Sequence, residues 1–325
     1  MKKVSIFLLV VISIITLQNC SKDSPTVQQP DITSDWIDNT ANPILESSGS
    51  DKDDLGVFHP TVIKYNDIYK MWFTGLSDNA VGYIYLATSV DGLTWRRARS
   101  TPVMSPGEAG TWDSQRVISG PVIVEDGIYR MYYTGWSNYS EKWEIGLAIS
   151  LDGVSWAKNP QPVYSGTEDW EFRVIASSVI RVGTKYYLYY SGQEEDSEQW
   201  RQCVAISSDG MIWEAYSGNP ILPVEYNWEF DNTFYGSTIY DNSNYTMVYS
   251  AGNPERQGFG LAYSVDALNW EKEETNPIVA LHNVDTDLVQ ITRPFFIKTN
   301  NEYRIYYTGK DYDGKLVICL TAKAF

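Results

Sequence analysis

Short runs of Val, Ile and Tyr, each cut by Gly, Asp or Asn, fill most of this chain. From Gly120 to Trp156 the text is GPVIVEDGIYRMYYTG, a polar insert carrying tryptophans, and then EIGLAISLDGVSW. β-branched and aromatic runs separated by turn residues predict three short antiparallel strands. The same text recurs along the chain. Its ending appears as YKMWFTG (Tyr69 to Gly75), YRMYYTG (Tyr129 to Gly135), YYLYYSG (Tyr186 to Gly192), YTMVYSAG (Tyr245 to Gly252) and YRIYYTG (Tyr303 to Gly309). The closing glycines lie 60, 57, 60 and 57 residues apart. A second element, SVDGLTW, SLDGVSW, SSDGMIW and SVDALNW, ends at Trp95, Trp156, Trp213 and Trp270. Self-similar short strands at a fixed period predict an all-β fold, a five-bladed β-propeller over residues 32–325.

The repeat also predicts how the ring closes. Trp95 to Pro102, Trp213 to Pro220 and Trp270 to Pro277 each span seven residues, and Trp36 to Pro43 repeats that spacing ahead of the first full copy. The last copy stops at Phe325 without a fourth strand. The N-terminal segment is therefore expected to supply the missing strand and close the ring, leaving no free sheet edge.

Residues 1–19 have the form of a signal peptide: Lys2 and Lys3, then an apolar run from Val4 to Leu17 that is short for a membrane span. Leu17-Gln18-Asn19-Cys20 resembles the lipobox of bacterial lipoproteins. That resemblance implies export, lipidation at Cys20, an outer-membrane location, and anchoring to a membrane without spanning it. Residues 20–31 then form the lipidated cysteine and a polar, Pro-containing tether. Of the two other cysteines, Cys203 and Cys319 hold the same strand position in the third and fifth copies. Those copies are not ring neighbours, so both thiols are expected to be free and buried.

Net charge is −16, which disfavours nucleic acid and anionic lipid headgroups as partners. The chain is expected to be a monomer. No metal-ligand pattern stands out and no cofactor is called for, a Ca²⁺ ion in the channel being the one alternative left open.

Propeller topology sorts the motifs by face. The S-x-D-G-x-x-W element falls on the hairpin between a blade's third and outermost strands, where Asp-Gly serves the turn, so Asp91, Asp152 and Asp209 are assigned structural work. The opposite face receives the loops leading into the innermost strands: SDKDDLGVFHP, TWDSQRVISGP, DWEFRVIASS, WEFDNTFYGS and DTDLVQITRP. They bring Asp53, Asp54, Asp113, Asp169, Glu171, Asp231, Asp285 and Asp287, together with His59, Arg116, Arg173 and Arg293. The unrepeated loops of this face add Trp136, Tyr139, Trp143, Trp200, Glu194, Glu195 and Arg256. Unrepeated aromatic and charged residues on a repeated scaffold mark where a ligand site belongs.

Strand order and repeat text together resemble the five-bladed glycoside hydrolase superfamily. It includes arabinanases and xylosidases of family 43, invertases and levanases of family 32, and mannoside phosphorylases and hydrolases of family 130. The resemblance implies a carbohydrate-active protein, a glycoside hydrolase working by carboxylate acid/base chemistry. Its alternatives are a non-catalytic glycan-binding propeller and an inverting phosphorylase. In family 43 an Asp acting as base stands directly before the Pro of the first inner strand; here that place holds His59, in FHPTVI. By the family's distribution over three consecutive blades, Asp54 is implied as base, Asp113 as pKa modulator and Glu171 as acid. As solvated loop acids these would contribute little to stability. His59, Arg116, Arg173, Asp231 and Arg293 are implied as contacts to sugar, or to phosphate in a phosphorylase. Trp136 and Trp200 are implied as stacking platforms.

Overall fold

The computed structural model describes residues 36–253, 256–284 and 287–325, so the signal segment, Cys20 and the tether lie outside the described residues. Apart from single 3-10 turns at Asp169–Glu171, Asn227–Glu229 and Leu281–Asn283, the described elements are strands. They pair as five antiparallel units, each built on one copy of the repeat. In the first, Gly56–Tyr65 (strand A), Ile68–Leu76 (B), Gly82–Ser89 (C) and Arg96–Arg97 (D) pair in sequence order. The other A strands start at Arg116, Arg173, Thr233 and Leu288. Each A strand lies against the next, and the fifth lies against the first, so the units are the blades of a closed propeller around a channel.

Closure follows the sequence expectation. Ile37–Asp38 pairs antiparallel with the last C strand, Leu316–Ala324, with Ile37 opposite Ala322. Asn42 then stands in for a stretch of strand: its Nδ2 donates to the Leu320 carbonyl at 2.9 Å, and its Oδ1 accepts from the Leu320 amide at 2.9 Å. Asn219 holds Val204, and Asn276 holds Leu261, in the same two-way manner. The N-terminal segment is thus a true copy of the outermost strand, moved to the other end of the chain.

Blades are fastened to each other at the far face by a bond written into the repeat. An aromatic residue of strand B donates to the turn carbonyl of the next blade's C-to-D hairpin: Trp72 to Gly153 at 2.9 Å, Tyr132 to Gly210 at 2.8 Å, Tyr189 to Ala267 at 3.2 Å and Tyr306 to Gly92 at 2.8 Å. The fourth blade has Val248 at this position. Its neighbour is the blade whose fourth strand comes from the N-terminus, so there is no hairpin to bond. At Gly210, with φ of +72°, an added Cβ would sit 2.6 Å from the Tyr132 hydroxyl, which fixes glycine there.

The hairpin aspartates do the structural work expected of them. Asp152 Oδ1 accepts from the amides of Val154 and Ser155 at 2.7 and 2.8 Å, and those bonds hold its carboxyl down at about 2. Cys203 and Cys319 are both free and buried.

Replacing Asn42 with Ala leaves the amide and carbonyl of Leu320 without their partner. We expect a loss of about 2–3 kcal/mol in urea unfolding. An unchanged midpoint would mean the N-terminal segment does not close the ring.

Candidate functional site

The channel mouth is shaped by one irregularity repeated around the ring. The A–B ladders slip between Phe58 and Thr61, Ala176 and Ser178, Phe234 and Ser237, and Thr292 and Phe295. In the second blade the A strand is interrupted at the same level, between Ile118 and Val122. Each break releases a residue toward the channel: His59, Ser119, Ala176, Tyr235 and Arg293 share this level by register. His59, Tyr235 and Arg293 take φ of +56°, +51° and +54°, uncommon for side chains of this size.

The Thr or Ser of the Y-T-G ending stabilises the break. Its hydroxyl accepts the displaced amide of the next blade: Thr74 from Ser119 at 2.8 Å, Thr134 from Ala176 at 3.2 Å, Ser191 from Tyr235 at 2.8 Å and Thr308 from His59 at 3.0 Å.

Above this level lies a funnel of about 350 Å³, walled by Phe58, Ile118, Ile175, Trp143, Trp200 and Tyr235 and entered by Arg116, Arg173 and Arg293. It opens on both sides. Toward the second and third blades a depression of about 460 Å³ shares Arg116, Trp143 and Arg173 with it and adds Trp136, Glu141 and Glu195. Toward the fourth and fifth blades one of about 550 Å³ shares Trp200, Tyr235 and Arg293 and adds Glu198 and Asp231. Together they form one groove across the channel mouth, with Trp143, Trp200 and Tyr235 walling its centre and Trp136 in the part toward the second and third blades. Trp136 and Trp143 have centroids 6.2 Å apart, and Trp200 and Tyr235 6.0 Å. A separate cavity of about 530 Å³, lined by Glu46, Asp287, Asp311 and Cys319, lies off this groove beside the closing segment.

The middle of the groove is cationic. Arg116 lies over Trp143 and Trp136 at 5.3 and 5.6 Å, with its Nε donating to the Ala80 carbonyl at 2.9 Å. Arg293 lies over Tyr235 at 4.7 Å and Phe58 at 5.2 Å, and its buried Nε has no hydrogen-bond partner among the described residues. Arg173 Nη1 donates to Gln193 Oε1 at 3.0 Å and the Glu195 carbonyl at 3.1 Å. None of the three belongs to an ion pair among the described residues. Burial, and the charge of Arg293 nearby, lower the pKa of Arg116. His59, 5% exposed and edge-on to Tyr235, is held down to about 3 by burial and by the charge of Arg293. It is therefore neutral at ordinary pH, and its buried Nδ1 is unpartnered among the described residues.

The structure gathers His59, Arg116, Arg173, Arg293, Trp136, Trp200 and Asp231 around one groove. It does not bring Asp54, Asp113 and Glu171 there; none of them lines any of its three parts. Asp54 sits half-buried ahead of the first A strand and accepts from the Asp78 amide at 2.9 Å. Asp113, 3% exposed, accepts from Lys158 at 2.7 Å and Tyr133 at 3.0 Å. Glu171, 2% exposed, accepts from the Tyr190 and Tyr164 hydroxyls and, at 3.0 Å, from the Thr167 amide. Asp53 and Glu229 occupy the same level of their blades, paired with Arg97 at 2.8 Å and Lys272 at 2.7 Å. The expected crowd of acids at the channel mouth is thus a crowd of arginines. Asp53, Asp113, Glu171 and Glu229 fold back into their blades, where Arg97, Lys158, Lys272, tyrosine hydroxyls or backbone amides satisfy them. Sequence reasoning missed Tyr235 and the rim acids Glu141 and Glu198; it put Trp143 and Glu195 on this face without giving them a role. Tyr235 was recoverable, since aligning the repeats puts it in the column of His59 and Arg293.

Residues 118–276, a little under half of the chain, match the family model described as the glycosyl hydrolases family 32 N-terminal domain. An uncharacterised protein of Mycobacterium tuberculosis is 25% identical over 241 residues, covering 70% of this chain and 77% of that protein. The 1,2-beta-oligomannan phosphorylase of Thermoanaerobacter sp. (strain X514) is 23% identical over 129 residues, 37% of this chain and 43% of that protein. Among solved structures, a thermostable family-43 glycoside hydrolase superposes with a TM-score of 0.66 at 16% identity, covering 82% of this chain and 88% of its own. A structure described with the GH130 family, as mannoside phosphorylases and glycoside hydrolases that target beta-1,2 mannosidic linkages in Candida mannan, superposes at 0.65 and 16% identity, covering 90% and 95%. The fold is that of the propeller glycoside hydrolases.

Two outcomes test these placements. Glu171→Ala strips an acceptor from two buried tyrosine hydroxyls and should cost about 2–4 kcal/mol in denaturant unfolding; a solvated loop acid would cost almost nothing. His59 is protonated more readily unfolded than folded, so its contribution is fully present above pH 6.5 and is lost as pH falls toward about 3. His59→Gln should flatten the parent's loss of stability between pH 6 and 4 by about 1 kcal/mol per pH unit. Parallel stability curves for parent and variant would contradict the burial of His59.

Proposed function

We propose that this protein binds an oligo- or polysaccharide along the groove and cleaves a glycosidic bond there. The observation that carries this is the run of aromatic side chains along one groove, Trp136 beside Trp143 and Trp200 beside Tyr235. Sugar rings stack their apolar faces on such surfaces while their hydroxyls reach polar groups between them. Cleavage needs a proton donor and a second group that attacks the sugar or activates water. We assign these roles to acids on the groove wall, Asp231 first, with Glu198 in the same part of the groove or Glu195 in the part beyond the funnel. Asp113 and Glu171 then act from behind, by holding the loops that carry Arg116 and Arg173.

A second reading is phosphorolysis, favoured by the three arginines at the groove's centre, none of them in an ion pair among the described residues. Phosphate would then replace the activated water, and a single acid would suffice. The similarity to an oligomannan phosphorylase agrees with it.

The lipobox-like segment ending at Cys20 supports the further proposal that the protein is an exported, lipid-anchored one. Ile37 enters the ring opposite Ala322, at the end of the last C strand away from the groove. A tether there turns the groove away from the membrane.

Incubating the protein with plant and yeast oligosaccharides, with and without phosphate, separates the readings. Free sugar without phosphate means hydrolysis, sugar phosphate formed only with phosphate means phosphorolysis, and binding without product means a glycan-binding propeller. Trp136→Ala or Trp200→Ala should weaken binding about tenfold, and Asp231→Asn should lower kcat about 100-fold or more with folding intact. If no carbohydrate binds, the glycan reading fails.

A further inference from the structure

The centre of the groove holds more positive charge than neutral sugar hydroxyls require. Arg116, Arg173 and Arg293 converge on one funnel of about 350 Å³, and none is ion-paired among the described residues. Crowding three guanidinium groups against apolar walls is unfavourable unless an anion joins them. The buried Nε of Arg293, which lines the funnel, has no hydrogen-bond partner among the described residues and is a donor for something that enters.

From this we propose that the funnel is a seat for an oxyanion carried by the glycan itself, the carboxylate of a uronic-acid unit. The proposal rests on the glycan reading above and names its substrate class. Guanidinium forks match a planar carboxylate in two-point contact. Phosphate shares the oxyanion chemistry, but the rest of the seat suits it less well. Phe58, Ile118 and Ile175 offer no donors, and a free phosphate placed against them would leave oxygens desolvated and unpaired. A pyranose ring with one carboxylate presents an apolar face to those walls and its charge to the arginines. The seat is itself walled by Trp143, Trp200 and Tyr235, on which an inner unit of a longer chain would stack. The rim acids Glu141, Glu195, Glu198 and Asp231 line the outer parts of the groove and leave its middle to the cations.

The test measures binding to the full mature chain, by calorimetry, of short oligouronides, of the same oligomers with their carboxyls reduced to alcohols, and of inorganic phosphate. The expected result is that oligouronides bind and raise the melting temperature, while the reduced oligomers bind at least tenfold more weakly. Arg293→Gln and Arg116→Gln should lose that preference. Arg293→Gln should also melt no lower than the parent, because it relieves the repulsion between like charges, and Arg96→Gln on an outer strand should behave as the parent. Equal binding of reduced and acidic oligomers overturns the proposal and leaves the glycan reading standing. Binding of phosphate with no preference among the oligomers overturns it in favour of a phosphate seat. If no carbohydrate binds at all, the glycan reading falls and the proposal with it.

Discussion

The bond on which the site depends is a hydroxyl-to-amide contact between neighbouring blades. At the channel mouth the A strands break register, and a broken ladder leaves amides that must find acceptors in a dry place. Thr74, Thr134, Ser191 and Thr308 supply those acceptors from the blade before. One small polar residue in the repeat therefore does two things. It joins blade to blade, and it allows His59 and Tyr235 to leave the regular strand conformation and stand at the channel mouth. At the far face the strand-B aromatics bonded to the next hairpin complete the fastening. With both faces tied, the channel mouth has rigid walls, and the loops above it are free to differ.

Electrostatics in this region follows from which charges the blades absorb. Asp53, Asp113, Glu171 and Glu229 all lie on the loops leading into the channel, yet each is neutralised or hydrogen-bonded within its own blade. Burial would raise the carboxyl of Asp53. Hydrogen bonds from Ser48 and Ser50 and the charge of Arg97 outweigh it and hold that carboxyl below its usual value. Glu229 is matched by Lys272, whose own pKa burial lowers against the opposing pull of that carboxylate. Removing these acids from the channel mouth leaves the arginines uncompensated. A chain with net charge −16 thus carries a cationic spot at the centre of the groove. Local field, rather than overall charge, then decides what docks there.

The departure of the fourth blade from the repeat follows from the same closure. Val248 replaces the tyrosine or tryptophan that elsewhere reaches the next hairpin, and it packs instead in a core with Phe259, Ile305 and Tyr307. A phenol there would face a blade edge that offers no turn carbonyl. Taking the closing strand from the N-terminus at one blade thus changes the residue needed in the blade before it.

Sequence alone determined the architecture, because the features that specify it are local and repeated. Strand runs, Asp-Gly turns, the Trp-to-Pro spacing and the two cysteine positions each follow from short-range pattern, and the structure bears them out at Ile37–Asp38, Asn42, Cys203 and Cys319. The face carrying the groove was legible too, as were His59, Arg116, Arg173, Arg293, Trp136, Trp200 and Asp231 as its neighbours. What the sequence did not determine was the direction of the acids. Asp113 and Arg116 are three residues apart on one loop, and nothing local says which turns into the blade and which into the funnel. That is decided by partners distant in the chain: Tyr133 and Lys158 draw Asp113 inward, while Trp136, Trp143 and the Ala80 carbonyl hold Arg116 at the mouth. Only the folded second blade and the neighbour beside it bring those partners together, so only the tertiary structure could set the charge of the site.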